Sequence, residues 1–476
     1  MAQPPVSASD VPSGAAGSSL ALAARAAARI AAPVAAVLVL LVPAMWNRFP
    51  LLQYDTGGYI ARWYEPYLVP SRSTTFGLFL HLGERLDYWP VVIVQAVLTV
   101  WTVALLLRVL GLGGGTRRAA MMVVALAGLT SLPWLTSLLL TDIFAGLGLL
   151  ALYMLVARRE ALRRWEAALL FGLVAFAAAS HTATFAMLLA VLGAGLMPVL
   201  VRRPVVPLRG LARGLAAVAV GALLLLSTNL ALGRQFAWTP GGFTIPFGRM
   251  LQDGIVARYL DDHCAKVAYR LCPYRHDLPK TADDFLWGKS VFNQLGRFAG
   301  LGDEMRAIVL GSLAAYPWRQ IETAAAAMGT QLAMNASGEG VHDKLWHTYG
   351  IIDRFVPGMA PRMRAARQQK GEMSFEAVNL LHPVVATLSL LGLVGVMAWS
   401  VRRRRCDDIA VLAGAIGVAV LANAFVCGAL SGPHDRYGAR IAWLPTLVLA
   451  AAALRAYQIR VPRLQNGDAL APAEAG

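Results

Sequence analysis

A few ionisable side chains in this sequence have the types and spacing to do chemistry. Asp55 opens "YDTGGYIARWYEPYLVPSRSTTFGLFL", Asp142 interrupts "LLLTDIFAGL", and His181 sits in "SHTAT". His434, Asp435, Arg436 and Arg440 crowd into "SGPHDRYGAR". A carboxylate can accept or orient the proton of an attacking hydroxyl. Guanidiniums hold phosphate oxygens through forked, charge-assisted hydrogen bonds. Arg62 and Arg72, in the same stretch as Asp55, extend that set. A phosphate leaving as a hydroxyl attacks would use all of these groups. Plainer uses compete: Asp142 after Thr141 also reads as a helix N-cap, His181 as a hydrogen-bonded packing residue, and Arg436 and Arg440 as contacts to lipid headgroups.

The surrounding elements must be helices in lipid. Hydrophobic residues make up 57% of the 476-residue chain, charged residues only 15%, and the mean hydropathy is +0.55. No soluble core has room for that many apolar side chains. The net charge of +16 is scattered in short clusters, which argues against a nucleic-acid surface and for basic residues at helix ends. Spans need roughly 20 mostly apolar residues, and the hydropathy pattern predicts ten: 28–46, 90–110, 119–136, 138–157, 165–183, 185–201, 214–232, 381–401, 409–430 and 440–458. "SLPW" at 131–134 and "SHTAT" at 180–184 predict turns. Residues 1–27 read as a small, polar, disordered tail rather than a cleaved leader, and 459–476 as a second tail.

Arginine sets the orientation. Arg25, Arg29, Arg108, Arg117, Arg118, Arg158, Arg159, Arg163, Arg164, Arg202, Arg203, Arg209, Arg213, the run Arg402–Arg405, Arg455, Arg460 and Arg463 all fall at one set of helix ends. The positive-inside rule makes those ends cytoplasmic, with both termini. Segments 47–89 and 233–380 then face outward, in a bacterial-type inner membrane. Asp55, Asp142, His181, His434, Asp435, Arg436 and Arg440 share that outward end. Buried ionisable groups in a membrane bundle usually have a partner or a task. Trp63, Tyr64, Tyr67, Tyr88 and Trp89 suit sugar rings or an interfacial aromatic belt.

Cys264 and Cys272, a C-x7-C pair in an outward segment, suit a local disulfide; zinc with His263 or His276 is the alternative. Residues 281–330 have helical spacing, and 233–380 as a whole reads as an outward helical domain. "NAS" at 335–337 is a formal glycosylation sequon. Within 54–80, Gly57 and Gly58 suggest a turn and the remainder a short interfacial helix.

This layout resembles the membrane-embedded C-type (GT-C) glycosyltransferase superfamily. The resemblance implies an all-α polytopic fold: a seven-helix core over 28–232, the outward segment 233–380, and three more helices over 381–458. It further implies transfer of a sugar from a polyprenyl-phosphate donor to an envelope acceptor. Asp55 matches the family's first-loop acid, and Asp142 its second acidic position. Asp55, Asp142 and His181 are thus the candidate catalytic residues. Arg62, Arg72, His434, Asp435, Arg436 and Arg440 are the candidate substrate contacts. The adjacent acidic pair common in the family's first loop is missing, because Thr56 follows Asp55; a divalent metal is the one cofactor this leaves open. A multi-pass transporter or lipid flippase is the alternative, although no internal repeat is visible. A scaffold, or an acyl- or phosphotransferase, is a third.

Overall fold

The computed structural model describes residues 14–202, 205–404 and 407–467, with side chains from 30 to 459 within them. Of the disordered tail expected at 1–27, residues 1–13 lie outside the described residues and 14–27 are instead the helical start of the first long helix; of the tail expected at 459–476, residues 459–467 continue the last helix and 468–476 lie outside the described residues, as do Arg203, Arg405 and Cys406. The chain is all-α, with α1 (Gly14–Asn47), α2 (Thr56–Tyr64), α3 (Thr74–Gly83), α4 (Trp89–Val109), α5 (Thr116–Leu129), α6 (Leu132–Ser137), α7 (Asp142–Ala157) and α8 (Arg164–Ser180). Next come α9 (Thr182–Leu200), α10 (Leu208–Gly233), α11 (Thr244–Gln252), α12 (Ile255–His263), α13 (Ala282–Leu286), α14 (Val291–Gln294), α15 (Arg297–Ala315) and α16 (Pro317–Ala333). The last are α17 (Trp346–Phe355), α18 (Ala360–Arg364), α19 (Glu376–Asn379), α20 (His382–Arg402), α21 (Asp408–Asn423) with a π-helical turn at Ala424–Ala429, and α22 (Asp435–Gly467).

Seven described helices are long and apolar enough to cross a membrane: the Ile30–Asn47 part of α1, α4, α9, α10, α20 with the preceding turn, α21 with its π turn, and α22 to Ile459. The other three expected spans are shorter. The one expected at 119–136 breaks at Thr130, where the hydroxyl donates to Leu126 O, and restarts as the six-residue α6 with Pro133 in its first turn. Helix α7 has only 16 residues, and every side chain from Asp142 to Val156 is buried. A helix sheathed by protein need not match the bilayer thickness that a lipid-facing helix must span. It forms the axis of the bundle, packed by α4, α8, α10, α21 and α22.

Close approach fixes how α7 and its neighbours sit. A side chain at Gly148 would strike Ala177 Cβ at 2.6 Å, and one at Gly146 would strike the Trp443 ring at 2.5 Å. Trp443 is wholly buried in that notch. The notch sets the register of α22 on α7. Arg436 lies two turns above Trp443, about 10 Å, and Asp142 one turn above Gly146, about 6 Å. The two side chains are thereby brought to neighbouring depths.

Helix direction alternates along the chain, so one end of the bundle collects the first loop, the starts of α7, α9 and α22, and the π turn. The other end collects the basic helix termini, where Arg108 pairs with Glu166 at 2.6 Å and Arg455 with Asp408 at 2.6 Å. Residues 233–380 form two pieces rather than one domain. Helices α11–α15 enclose their own core of Phe247, Leu260, Phe285, Phe292 and Met305. Val341, Leu345, Ile352 and Met363, further on, join the membrane core instead.

Cys264 and Cys272 are disulfide-bonded, 8 residues apart, at the edge of the smaller core. Closing so short a loop contributes roughly 2–3 kcal/mol by the chain-entropy estimate. Replacing both cysteines by serine is expected to lower the unfolding free energy of α11–α15 while leaving the membrane helices protected. Hydrogen exchange followed by peptide mass spectrometry would show it; uniform protection in both forms would contradict it. Asn335 of the formal sequon is buried and donates to Leu332 O at 2.9 Å, so in this fold it is a packing residue.

Candidate functional site

Backbone pairing brings the two acids together. After α6 the chain runs extended and forms a parallel bridge between Leu51 and Leu138. Leu51 N donates to Ser137 O at 2.9 Å, and Leu139 N to Leu51 O at 3.0 Å. Gln95, from α4, donates to the carbonyls of Thr136 and Leu138 at 3.0 Å each. Asp55 follows one side of this bridge by four residues and Asp142 follows the other by four.

Arg436 joins them. Its Nη1 donates to Asp55 Oδ2 at 2.6 Å and its Nε to Asp142 Oδ2 at 3.1 Å. Arg72 closes on the other oxygen of Asp55. The result is a chain, Arg72–Asp55–Arg436–Asp142, contributed by three distant parts of the sequence. The Arg436 side chain is 7% exposed, Asp142 2% and Asp55 11%. So little water leaves the charges to be neutralised by one another. Burial pushes the Asp55 carboxyl up, but Arg72 and Arg436 outweigh it and hold it below the usual carboxylate range. Asp55 is therefore ionised at neutral pH.

The first loop differs from the expected turn and single surface helix. Two helices form, and Thr56 through Arg62 of α2 are buried. Gly57 and Gly58 are helical, and their value lies in contact: a side chain at 57 would meet Thr348 Cα at 2.6 Å, one at 58 the Arg72 side chain at 3.2 Å. Thr348 Oγ1 accepts from Gly57 N at 3.1 Å. Gln368 exchanges hydrogen bonds with Leu52 in both directions, at 3.0 and 2.6 Å. Segment 342–370 thus clamps the loop that carries Asp55.

Arg62 stands apart from the charge chain. Its Nε donates to Gly58 O at 3.0 Å, its Nη2 pairs with Glu65 at 2.9 Å, and its Nη1 reaches Tyr67 O. All three bonds stay within its own loop. Among the rings, Tyr64 stacks on Phe355 and Trp63 on His81, and Tyr88 is buried. Of the five rings singled out above, Trp63 and Tyr67 keep substantial exposure.

Glu339 is a site residue that the sequence reading missed. It accepts from Arg436 N at 2.8 Å and from His434 Nδ1 at 2.7 Å. It sits between Gly338 and Gly340, both in the left-handed region (φ +94° and +75°); a side chain at 340 would strike Gln53 and Tyr54 at 2.4 Å. "GEG" was the available signal, a carboxylate between two residues free to turn. Asp435 staples the same segment by accepting from Ala336 N at 2.8 Å. Between this segment and α6 lies a cavity of about 30 Å³, lined by Trp134, Asp142, Glu339, Phe375 and Arg436 among others. Asp142 Oδ1 has no hydrogen-bond partner among the described residues. The cavity has room for about two waters and none for a sugar ring.

Arg440 and His181 form a second cluster. Arg440 Nε and Nη2 donate to Asn423 Oδ1 at 2.9 and 2.5 Å, and Nη2 also reaches Cys427 Sγ at 3.3 Å. Nη1 lies 3.4 Å from His181 Nδ1. Asn423 and Cys427 flank the start of the π turn, which swings both toward α22. Neither was expected from the sequence. Among the described residues no group of three or more His, Cys, Asp or Glu side chains could hold a metal ion. Comparisons with protein-family models, with curated proteins and with solved structures return no match.

The His434–Glu339 pair carries a pH dependence. The hydrogen bond to Glu339 raises the His434 imidazole above its ordinary 6.5, helped by Asp283 and opposed by burial and Arg436. Burial pushes Glu339 up, but His434 and Arg436 outweigh it and hold it below its ordinary 4.5. The histidine's contribution is complete below pH 6.5 and is lost as pH rises through its raised value. The glutamate's is complete above 4.5 and is lost on acidification. The pair therefore supports the 335–341 segment fully between those two values, by at most ~1 kcal/mol at this exposure. Thermal midpoints measured across neutral pH should fall on the alkaline side for the parent, and less for His434→Gln. Parallel profiles would contradict the assignment.

Proposed function

We propose that this chain is a membrane-embedded glycosyltransferase of the GT-C type, moving a sugar from a polyprenyl-phosphate donor to an envelope acceptor at the outward face of a bacterial-type inner membrane. The carrying observation is the Arg72–Asp55–Arg436–Asp142 chain, two acids held by guanidiniums at the mouth of an apolar bundle. A transporter site belongs near the midplane between repeats; these groups sit at helix ends, beside a loop clamped from 300 residues away.

In this reading the donor's tail lies along the bundle and its phosphate among the guanidiniums of this end. Asp55, ionised and only slightly exposed, orients the acceptor hydroxyl and takes its proton as the bond to the anomeric carbon loosens. The arginines stabilise the departing phosphate, being fixed before the reaction begins. Asp142 holds Arg436 in place, and His181 and His434 orient neighbouring groups. The present conformation is closed, so sugar entry requires segment 335–341 to lift from the cavity. That segment hangs from His434 and Asp435.

The test is reconstitution of the full chain in liposomes with a lipid-linked sugar, following sugar release from the carrier. Cells lacking the protein should also lose one sugar from an envelope glycan or glycolipid. Intact glycans with an accumulated transport substrate would replace this reading with the flippase one. External labelling of cysteines introduced at 47–89 should succeed, and labelling near Arg403 should fail; the reverse would invert the orientation.

A further inference from the structure

Two buried polar atoms lie unpartnered under the segment that closes the cavity beside Asp142. Asp142 is 1% exposed. Its Oδ2 is taken by Arg436 Nε at 3.1 Å, and its Oδ1 meets no donor among the described residues. Gln53 is 0% exposed. Its Oε1 accepts from Asp55 N at 2.9 Å, which fixes the orientation of the amide. Nε2 is then a donor with no acceptor among the described residues. Gly340 lies against that nitrogen, since a side chain there would meet it at 2.4 Å. Such atoms in a native fold call for an explanation, and here one acceptor and one donor share a single cover.

The walls narrow what would satisfy them. The cavity is mostly apolar, and Trp134 and Phe375 flank it as half-buried rings with centroids 4.7 Å apart. Phe375 presses on Gly338 of the covering segment, where a side chain would strike its ring at 2.2 Å. Apolar and aromatic walls with a few placed polar groups are the form of a small-molecule site. Its two acids, Asp142 and Glu339, are matched by Arg436 and His434, so no surplus of either sign invites an ion. A carboxylated ligand would set its anion against Asp142 Oδ1. Hydroxyls suit both orphans, because one hydroxyl can donate to the carboxylate and another can accept from the amide.

We infer that this cavity is the collapsed seat of the donor's sugar, and that the sugar is neutral and polyhydroxylated. A sugar hydroxyl donates to Asp142 Oδ1, the ring lies against Trp134, and segment 335–341 closes over it. The inference rests on the function proposed above and adds the class of sugar and the residues that select it. Arg436 bonds both acids, at 2.6 and 3.1 Å. A sugar held on Asp142 therefore lies one guanidinium away from Asp55, which takes the acceptor's proton.

The experiment measures equilibrium binding of polyprenyl phosphates to the full chain in nanodiscs. The bare lipid is compared with a panel carrying neutral hexoses, neutral pentoses or a hexuronic acid. At least one neutral sugar should tighten binding about 10- to 100-fold over the bare lipid, as expected for a hydrogen bond to a charged group; the uronic acid should add nothing. Asp142→Asn keeps an oxygen for Arg436 but turns the free position into a donor. It should erase most of the gain while leaving bare-lipid affinity within about threefold. Trp134→Ala should do the same, and serves if Asp142→Asn does not fold. Full gain in both variants would overturn the sugar seat and leave Asp142 Oδ1 merely hydrated. Equal loss of bare and sugar-bearing lipid in both would give these residues to the phosphate or the fold, and would also overturn it. A gain from the uronic acid matching the best neutral sugar would overturn the neutral class. No gain from any sugar would end the inference while the lipid-phosphate donor stands. A parent chain that binds none of these lipids would remove the donor reading itself.

Discussion

Arg436→Ala is expected to be the most damaging single substitution in the protein, lowering stability by about 3–5 kcal/mol. Among the described residues the arginine is the one side chain that bonds both Asp55 and Asp142, at 2.6 and 3.1 Å. Without it two nearly buried carboxylates face each other, and Asp142 keeps no pairing cation among the described residues. One of them must then bind a proton or draw in water. Arg436→Lys should recover part of the loss, since an ammonium restores the charge but cannot reach both acids through separate nitrogens. Thermal midpoints in detergent would rank parent above lysine above alanine. An alanine variant as stable as the parent would show that the acids do not depend on this guanidinium. The sequence alone suggests a milder outcome, weakened donor use, because it does not show that both acids share one arginine.

If the chain is the glycosyltransferase proposed above, Asp55→Asn should abolish its sugar transfer, by about 10²–10⁴ in rate, with far less effect on folding. Asparagine fills nearly the same volume, and Arg436 keeps its bond to Asp142. Arg72 loses its only carboxylate partner among the described residues, but its side chain is 17% exposed and reaches water. An amide cannot take the acceptor's proton. The measurement is transfer in reconstituted liposomes beside a melting curve, so that chemistry and folding are read separately. Parental transfer by Asp55→Asn would end the catalytic role of Asp55 and leave the loop as a structural plug. A variant inactive only because it unfolds would show in the melting curve.

Much of the site was legible because lipid makes polarity conspicuous. Asp142 in an apolar run, and Arg436 and Arg440 against the arginine pattern, stand out from sequence, and helix alternation gathers them at one end. Contact was not legible. Nothing in the sequence pairs Arg436 with two acids, or gives Arg62 to its own loop. Glu339 lay in a stretch without periodicity, and Asn423 became visible only once the π turn rotated it toward α22. The all-α polytopic fold was legible but the count of ten spans is not confirmed, because a length criterion built on bilayer thickness has no purchase on α7, which is buried along its length. Gly57 and Gly58 were read as turn formers because glycine's freedom and its small size leave the same letter in a sequence.

The clamp on the first loop has a consequence for how the protein is made. Asp55 emerges from the ribosome early, yet Thr348 and Gln368, which hold its loop, follow some three hundred residues later, and Arg436 follows Asp55 by 381. At about 5–20 residues per second, roughly 20–80 s pass between the acid and its arginine. Asp55 throughout that interval, and Asp142 for the last 294 residues of it, sit in a half-built bundle without their shared counter-ion. The nascent chain should therefore be most open to proteolysis and misinsertion just before α22 arrives, and truncations ending after α21 should be degraded even though every other long span is present.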